Sequence, residues 1–180
     1  MLKGNPPFLA DTFEREFGPI FRTIFRATDS RQKSPFVNSD WPTVLLPEGL
    51  FVSDDDIFAA LTAAVRATGD TEAIVTVVES IPPHFESLRT PMLPTWDQLC
   101  CRGTSIEHFD YAVFGKSATW GAMSYNIDFT RLAGDDRFID IFLQRLGGID
   151  RLKARFYEFA ETGWRIKPEA KAGILNSVGW

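Results

Sequence analysis

The run Ala73-Ile-Val-Thr-Val-Val78 constrains this chain more than any other stretch. Its β-branched residues do not alternate with polar ones, so the strand they form must be covered on both faces and sit centrally in a sheet. What precedes it is equally definite. Ser53-Asp-Asp-Asp56 reads as a capping-box-like helix start, in which Ser53 accepts a backbone N–H and the carboxylates favour the positive end of the helix dipole. The helix that follows turns Ile57, Phe58, Leu61 and Val65 to a core and stops at Gly69, a natural left-handed residue before Asp70. The spacing therefore predicts a helix, a tight stop and a buried strand in direct succession.

The flanking segments supply the other layers. Phe13, Phe17, Ile20, Phe21, Ile24 and Phe25 recur at helical spacing, interrupted by Gly18-Pro19, which predicts two short helices or one that restarts at the proline. Between Asp29 and Leu50 three prolines leave room for one edge strand at Thr43-Val-Leu-Leu46. Ile81 to Gly103, with Pro82, Pro83, Pro91 and Pro94, reads as a long loop pinned by Trp96 and Leu99. Later come a hairpin around Gly115-Lys-Ser117, a helix from Asp135 to Leu146 ended by Gly147-Gly148, and a helix from Asp150 to Thr162. The last of these carries a regular apolar stripe of Ile149, Leu152, Phe156, Phe159 and Ala160. A short helix is expected after Pro168, with the end held only if Trp180 docks. The order predicts an α+β fold in which a small, mostly antiparallel sheet with a central hairpin packs against several helices.

At 180 residues the chain fits one globular domain, spanning residues 1–180, without a metal or disulfide staple. No stretch approaches the run of about 18 apolar residues that spans a membrane, and the N-terminus has no signal-peptide pattern, which makes the cytoplasm the expected compartment. The only two cysteines, Cys100 and Cys101, are adjacent and cannot staple distant segments, so they read as free thiols. With 24 acidic against 19 basic side chains the net charge is −5, which disfavours nucleic acid and suits a basic protein partner.

Phe114-Gly-Lys-Ser-Ala-Thr-Trp-Gly121 contains the GKS that ends a nucleotide-binding phosphate loop. That loop needs a glycine five residues before the Gly-Lys pair, so that backbone amides can wrap phosphate, and the position holds Asp110. GKS is instead expected to be a three-residue hairpin turn with Lys116 at its exposed tip, Phe114 opposite Ala118 and Ala112 opposite Trp120. In that register His108, Asp110 and Trp120 share one sheet face, either a recognition surface or a layer covered by a helix.

Other chemistry is incomplete. His84-Phe-Glu86 resembles the H-x-E element of zinc-dependent deaminases, but Cys100 and Cys101 do not supply the P-C-x-x-C partner. His84, Glu86, His108 and Asp110 could form a two-histidine, two-carboxylate metal site, although no spacing demands it. Ser105 near His108 lacks a nucleophile elbow, and no family signature surrounds either cysteine. No catalytic residue, metal ligand or cofactor site is therefore assigned.

From Trp96 to Trp164 the chain carries a hairpin ending in Ser117-Ala-Thr-Trp-Gly121, then Ala133-Gly-Asp-Asp136, Arg137-Phe-Ile139, Phe142, Gly147-Gly148 and a final aromatic helix. This rhythm resembles the small cytoplasmic immunity proteins encoded beside secreted bacterial toxins. The resemblance implies a non-enzymatic protein that binds one cognate toxin domain and blocks its active site or substrate entry. The residues expected to meet such a partner are Glu107, His108, Asp110, Lys116 and Trp120, with the carboxylates steering and Trp120 anchoring. Two alternatives stay open: a small metal- or thiol-dependent hydrolase, and a self-associating scaffold whose aromatics pair copies of the chain.

Overall fold

The computed structural model describes residues 10–26, 31, 33–50, 55–78, 88–91, 109–126, 128–162, 164 and 166–180. In chain order they form α1 (Ala10–Glu16), α2 (Gly18–Ile24), β1 (Thr43–Pro47), α3 (Asp55–Ala67), β2 (Glu72–Val77), β3 (Leu88–Pro91), β4 (Asp110–Phe114), β5 (Trp120–Tyr125), β6 (Phe129–Gly134), α4 (Asp136–Leu146), α5 (Ile149–Thr162) and α6 (Pro168–Asn176). The strands make one antiparallel sheet in the order β1-β6-β5-β4-β2-β3. The fold is α+β, as the sequence predicts.

Helices cover both faces of this sheet. On one face Ala73 and Val75 of β2, Tyr111 and Val113 of β4, Trp120 and Ala122 of β5 and Leu132 of β6 meet the apolar sides of α3 and α4. The four expected α3 core residues, Ile57, Phe58, Leu61 and Val65, are all fully buried there. On the other face Ile74, Phe114, Met123, Tyr125 and Phe129 meet α1, α2, α6 and Trp164. α5 lies against β1 and bridges the two layers, giving Leu152 to the first and Phe156 to the second. β2 is thus buried on both sides by alternate residues, the physical meaning of its unbroken β-branched run.

Local signals set the ends of these elements. Asp135 caps α4, its carboxylate accepting from the Phe138 N–H at 2.8 Å, and Gly147 closes the helix at φ +86°. Gly69 ends the α3 turn at φ +89°. Thr43–Pro47 is an edge strand as expected, and Trp180 docks edge-on against Phe156 with ring centroids 5.5 Å apart.

Three expectations need correction. The long loop from Ile81 to Gly103 contains the edge strand β3, whose last residue, Pro91, cannot donate to a further strand. The segment before α4 holds a full strand, β6, hidden in the sequence because all six of its residues, Phe129-Thr-Arg-Leu-Ala-Gly134, are buried and show no alternation. The hairpin register also differs: Phe114 pairs with Gly121 and Ala112 with Met123, so the loop is Gly115 to Thr119 rather than three residues. The slip is three positions, an odd number, and it turns every β5 side chain to the opposite face.

Gly121 is the residue this register requires. A methyl group there would stand 2.7 Å from Ile24 Cγ2 and from Phe25 Cζ, so α2 reaches the sheet only across a bare backbone. Gly121→Ala is expected to cost about 1–3 kcal/mol by overpacking. Urea denaturation checks this, and an unchanged midpoint would mean that α2 does not press on β5.

Candidate functional site

Two polar networks hold opposite ends of the β4–β5 hairpin, and both use residues that an isolated reading of the sequence offers as chemistry. At the loop end the acceptor is Asp70, placed by the Gly69 stop between α3 and β2. Its Oδ1 accepts from the Ser117 backbone N–H at 3.1 Å, and its Oδ2 from Ser117 Oγ at 2.6 Å and Trp120 Nε1 at 3.0 Å. Thr68 Oγ1 lies 3.1 Å from Oδ2 and 2.7 Å from the Val65 carbonyl, so its single proton serves one or the other. Ser117 Oγ in turn accepts from Thr119 Oγ1 at 2.9 Å, because its own proton goes to Asp70. The GKS turn therefore does wrap an anion with its amide and hydroxyl, but the anion is the protein's own carboxylate. Gly115 is needed for the approach: a Cβ there would overlap the Asp70 carboxylate and stand 2.5 Å from Trp120 Nε1.

Trp120 corrects the expectation of an exposed anchor. The register slip turns it to the α3–α4 face, where it has no exposed surface and stacks on Phe138 at 5.4 Å and 9°. Lys116 is half exposed at the tip, as expected, and its ammonium pairs with Glu72 at 2.6 Å. Asp110 stands at the other end of β4, roughly 13 Å from Phe114 at about 3.3 Å per residue. Glu107 and His108 lie outside the described residues, as do His84, Glu86, Ser105, Cys100 and Cys101. The expected partner-binding residues that are described do not converge on one patch.

Asp110 belongs to a clasp at the base of the hairpin. Arg31 donates through Nη2 to both Asp110 oxygens, at 3.0 and 3.2 Å, and through Nη1 to Asp128 at 2.7 Å. Its guanidinium lies 5.5 Å from the Tyr125 ring centroid. Beside it Arg131, in the middle of β6, is wholly buried. That arginine donates to the Arg31 carbonyl at 2.9 Å and to Ser177 Oγ at 2.8 Å, and so ties the end of α6 and the Arg31 segment to the sheet. Arg131 Nε, Tyr125 Oη and Trp164 Nε1 are buried and, among the described residues, have no partner at hydrogen-bond geometry.

Burial dominates the ionisation of this pair. It pushes the Tyr125 phenol above the ordinary tyrosine range, opposed by the nearby Arg131 charge and reinforced by Asp110. Burial likewise pulls the Arg131 guanidinium below its ordinary value, opposed by Tyr125.

A third feature lies on the outside of the α3–α4 layer. A groove of about 440 Å³ runs between α3, the end of α4 and the start of α5, floored by Ala59, Ala60 and Ala63 and bordered by Asp56, Arg66, Arg145 and Arg151. Among the described residues no group of three His, Cys, Asp or Glu side chains could hold a metal, and no helix is long and apolar enough to cross a membrane. No protein-family model, curated protein or solved structure matches the chain.

Sequence reasoning passed over Asp70, Arg31 and Arg131. Asp70 and Arg31 carry no sequence signal, because each gains its partners from segments 47 to 97 positions away. Arg131 could have been found: it is a lone charge inside an apolar run, and such a residue in a buried strand needs a purpose-built surrounding.

Two measurements follow from these networks. Asp70→Ala leaves three buried or half-buried donors without their acceptor and is expected to cost about 3 kcal/mol or more, with Asp70→Asn costing less. An Asp70→Asn variant as stable as the unsubstituted protein, by chemical denaturation, would argue against the carboxylate's charge-assisted role. The Tyr125 shift carries a sign: the unfolded chain releases the phenolic proton near pH 10 while the folded chain keeps it, so stability present below about pH 10 is lost as pH rises beyond it. Tyr125→Phe should therefore flatten the fall of the urea midpoint between about pH 9 and 11. Parallel pH profiles for the two proteins would rule this out.

Proposed function

We propose that this chain works by binding another protein, as a toxin-neutralising immunity protein that seats itself over the active site or substrate entry of a cognate toxin. The observation that carries the reading is the α3–α4–α5 groove. Alanines and charged side chains line it together, the mixture of small apolar and charged groups found at contact surfaces. Helices rather than loops present it, and α3 and α4 pack along each other over a fully buried core. A surface held that firmly binds with little ordering cost. The resemblance of the Trp96–Trp164 segment to immunity proteins points the same way.

Inside this reading Asp110 and Trp120 take new roles. Arg31 engages Asp110 and Asp70 engages Trp120, so both shape the scaffold rather than meeting the partner. Co-expression with the product of the neighbouring gene tests the proposal. The expected result is a complex that co-elutes on size exclusion and restores growth of the producing cells. A toxic neighbour that neither associates nor is neutralised would overturn it.

A further inference from the structure

The charge of the groove runs against the charge of the chain. The whole sequence is acidic at −5, yet among the described residues the groove's border sets three guanidinium groups, Arg66, Arg145 and Arg151, against one carboxylate, that of Asp56. Asp56 is itself drawn on by two arginines, Arg151 at 3.8 Å and Arg155 at 4.0 Å. These contacts are long, and the Asp56 carboxylate is 69% exposed, so they are weak pairs that an incoming anion can exchange.

The backbone positions one of these cations. The α4–α5 corner is Gly147-Gly148, and a Cβ at Gly147 would lie 3.3 Å from Arg151 Cδ and 3.4 Å from its Nη1. The bare, left-handed corner at φ +86° therefore lets the Arg151 side chain lie across the end of α4, beside Arg145. Arginine presents a planar fork of donors suited to a carboxylate, and the forks of Arg145 and Arg151 beside a lining of alanines suit acidic side chains rather than bulky apolar ones.

We infer that this groove docks an acidic segment of the protein partner, with Arg145 and Arg151 receiving its carboxylates. The inference rests on the partner-binding reading for the choice of a protein as ligand, and it reverses the expectation from net charge that the partner's contact surface is basic. Long-range attraction from an acidic chain and local recognition by a cationic groove act at different distances, since exposed charges are screened within about 8 Å at physiological salt.

A fluorescent glutamate-rich peptide, a lysine-rich peptide of the same length and inorganic phosphate serve as probes of the full chain, with binding read by anisotropy. The glutamate peptide should bind, lose affinity with rising salt, and lose about tenfold or more on Arg145→Glu with Arg151→Glu. Lys167→Glu, on the opposite side of the sheet before α6, should leave it unchanged, and circular dichroism verifies that each variant is folded. No binding of the glutamate peptide, equal binding by the double variant, or stronger binding of the lysine peptide would overturn the inference. Displacement of the peptide by phosphate at equal carboxylate and phosphate concentrations would also overturn it, by making the groove a small-anion site. If the neighbouring gene's product is not neutralised while peptide binding still needs Arg145 and Arg151, the immunity reading falls and the groove stands. The reverse pattern sinks the groove alone.

Discussion

One carboxylate closes the hairpin on which the sheet is built. Asp70 receives an amide and a hydroxyl from Ser117 and the indole N–H of Trp120, and it stands at the junction of α3 and β2. It thereby fixes two things together: how the β4–β5 loop is shaped, and which way Trp120 turns. The last has the widest effect, because Trp120 stacked on Phe138 joins the sheet to α4, and α4 with α3 forms the outer wall. Donors converging on a buried anion are worth more than the same bonds between neutral groups, which is why so small a residue can hold such a large aromatic in place.

The far end of the hairpin is organised around cations instead. Arg31 gathers Asp110 and Asp128, and Arg131 reaches from the centre of β6 to the Arg31 carbonyl and to Ser177 at the end of α6. A wholly buried guanidinium is costly, so the groups around it are under strong constraint. Its surroundings answer it with a carbonyl, a hydroxyl and the face of Phe129, whose centroid lies 5.7 Å away. This side chain anchors the end of α6 at Ser177, while Ile174 and Leu175 pack the helix itself into the second core layer. With polar groups gathered at both ends of the hairpin, the α3–α4–α5 groove lies apart from both networks, on the outer side of the α3–α4 layer.

Much of the chain was legible because its signals are local. Helix ends at Gly69 and Gly147, the proline restart in the first turn of α2, the α3 core stripe and the doubly buried β2 each follow from neighbouring residues acting on a few turns of backbone. What was not legible shares one property, dependence on distant residues. β6 shows no alternation because both its faces are covered, and it sits between a turn and a helix that draw the eye. The hairpin register depended on Asp70, more than forty positions upstream, pulling Ser117 and Trp120 toward itself, and a wrong register moved Trp120 to the wrong face.

The sequence by itself determined the α+β class, the helices and the buried strand, since propensity, capping and periodicity act over spans of a few residues. It also determined that GKS lacks the upstream glycine of a phosphate loop. Only the tertiary structure decided that the GKS turn encloses Asp70, that Asp110 belongs to Arg31, and that three arginines from three helices border one groove on an acidic protein. Those outcomes are pairings between segments far apart in the chain, and a pairing has no energy until folding brings both members together.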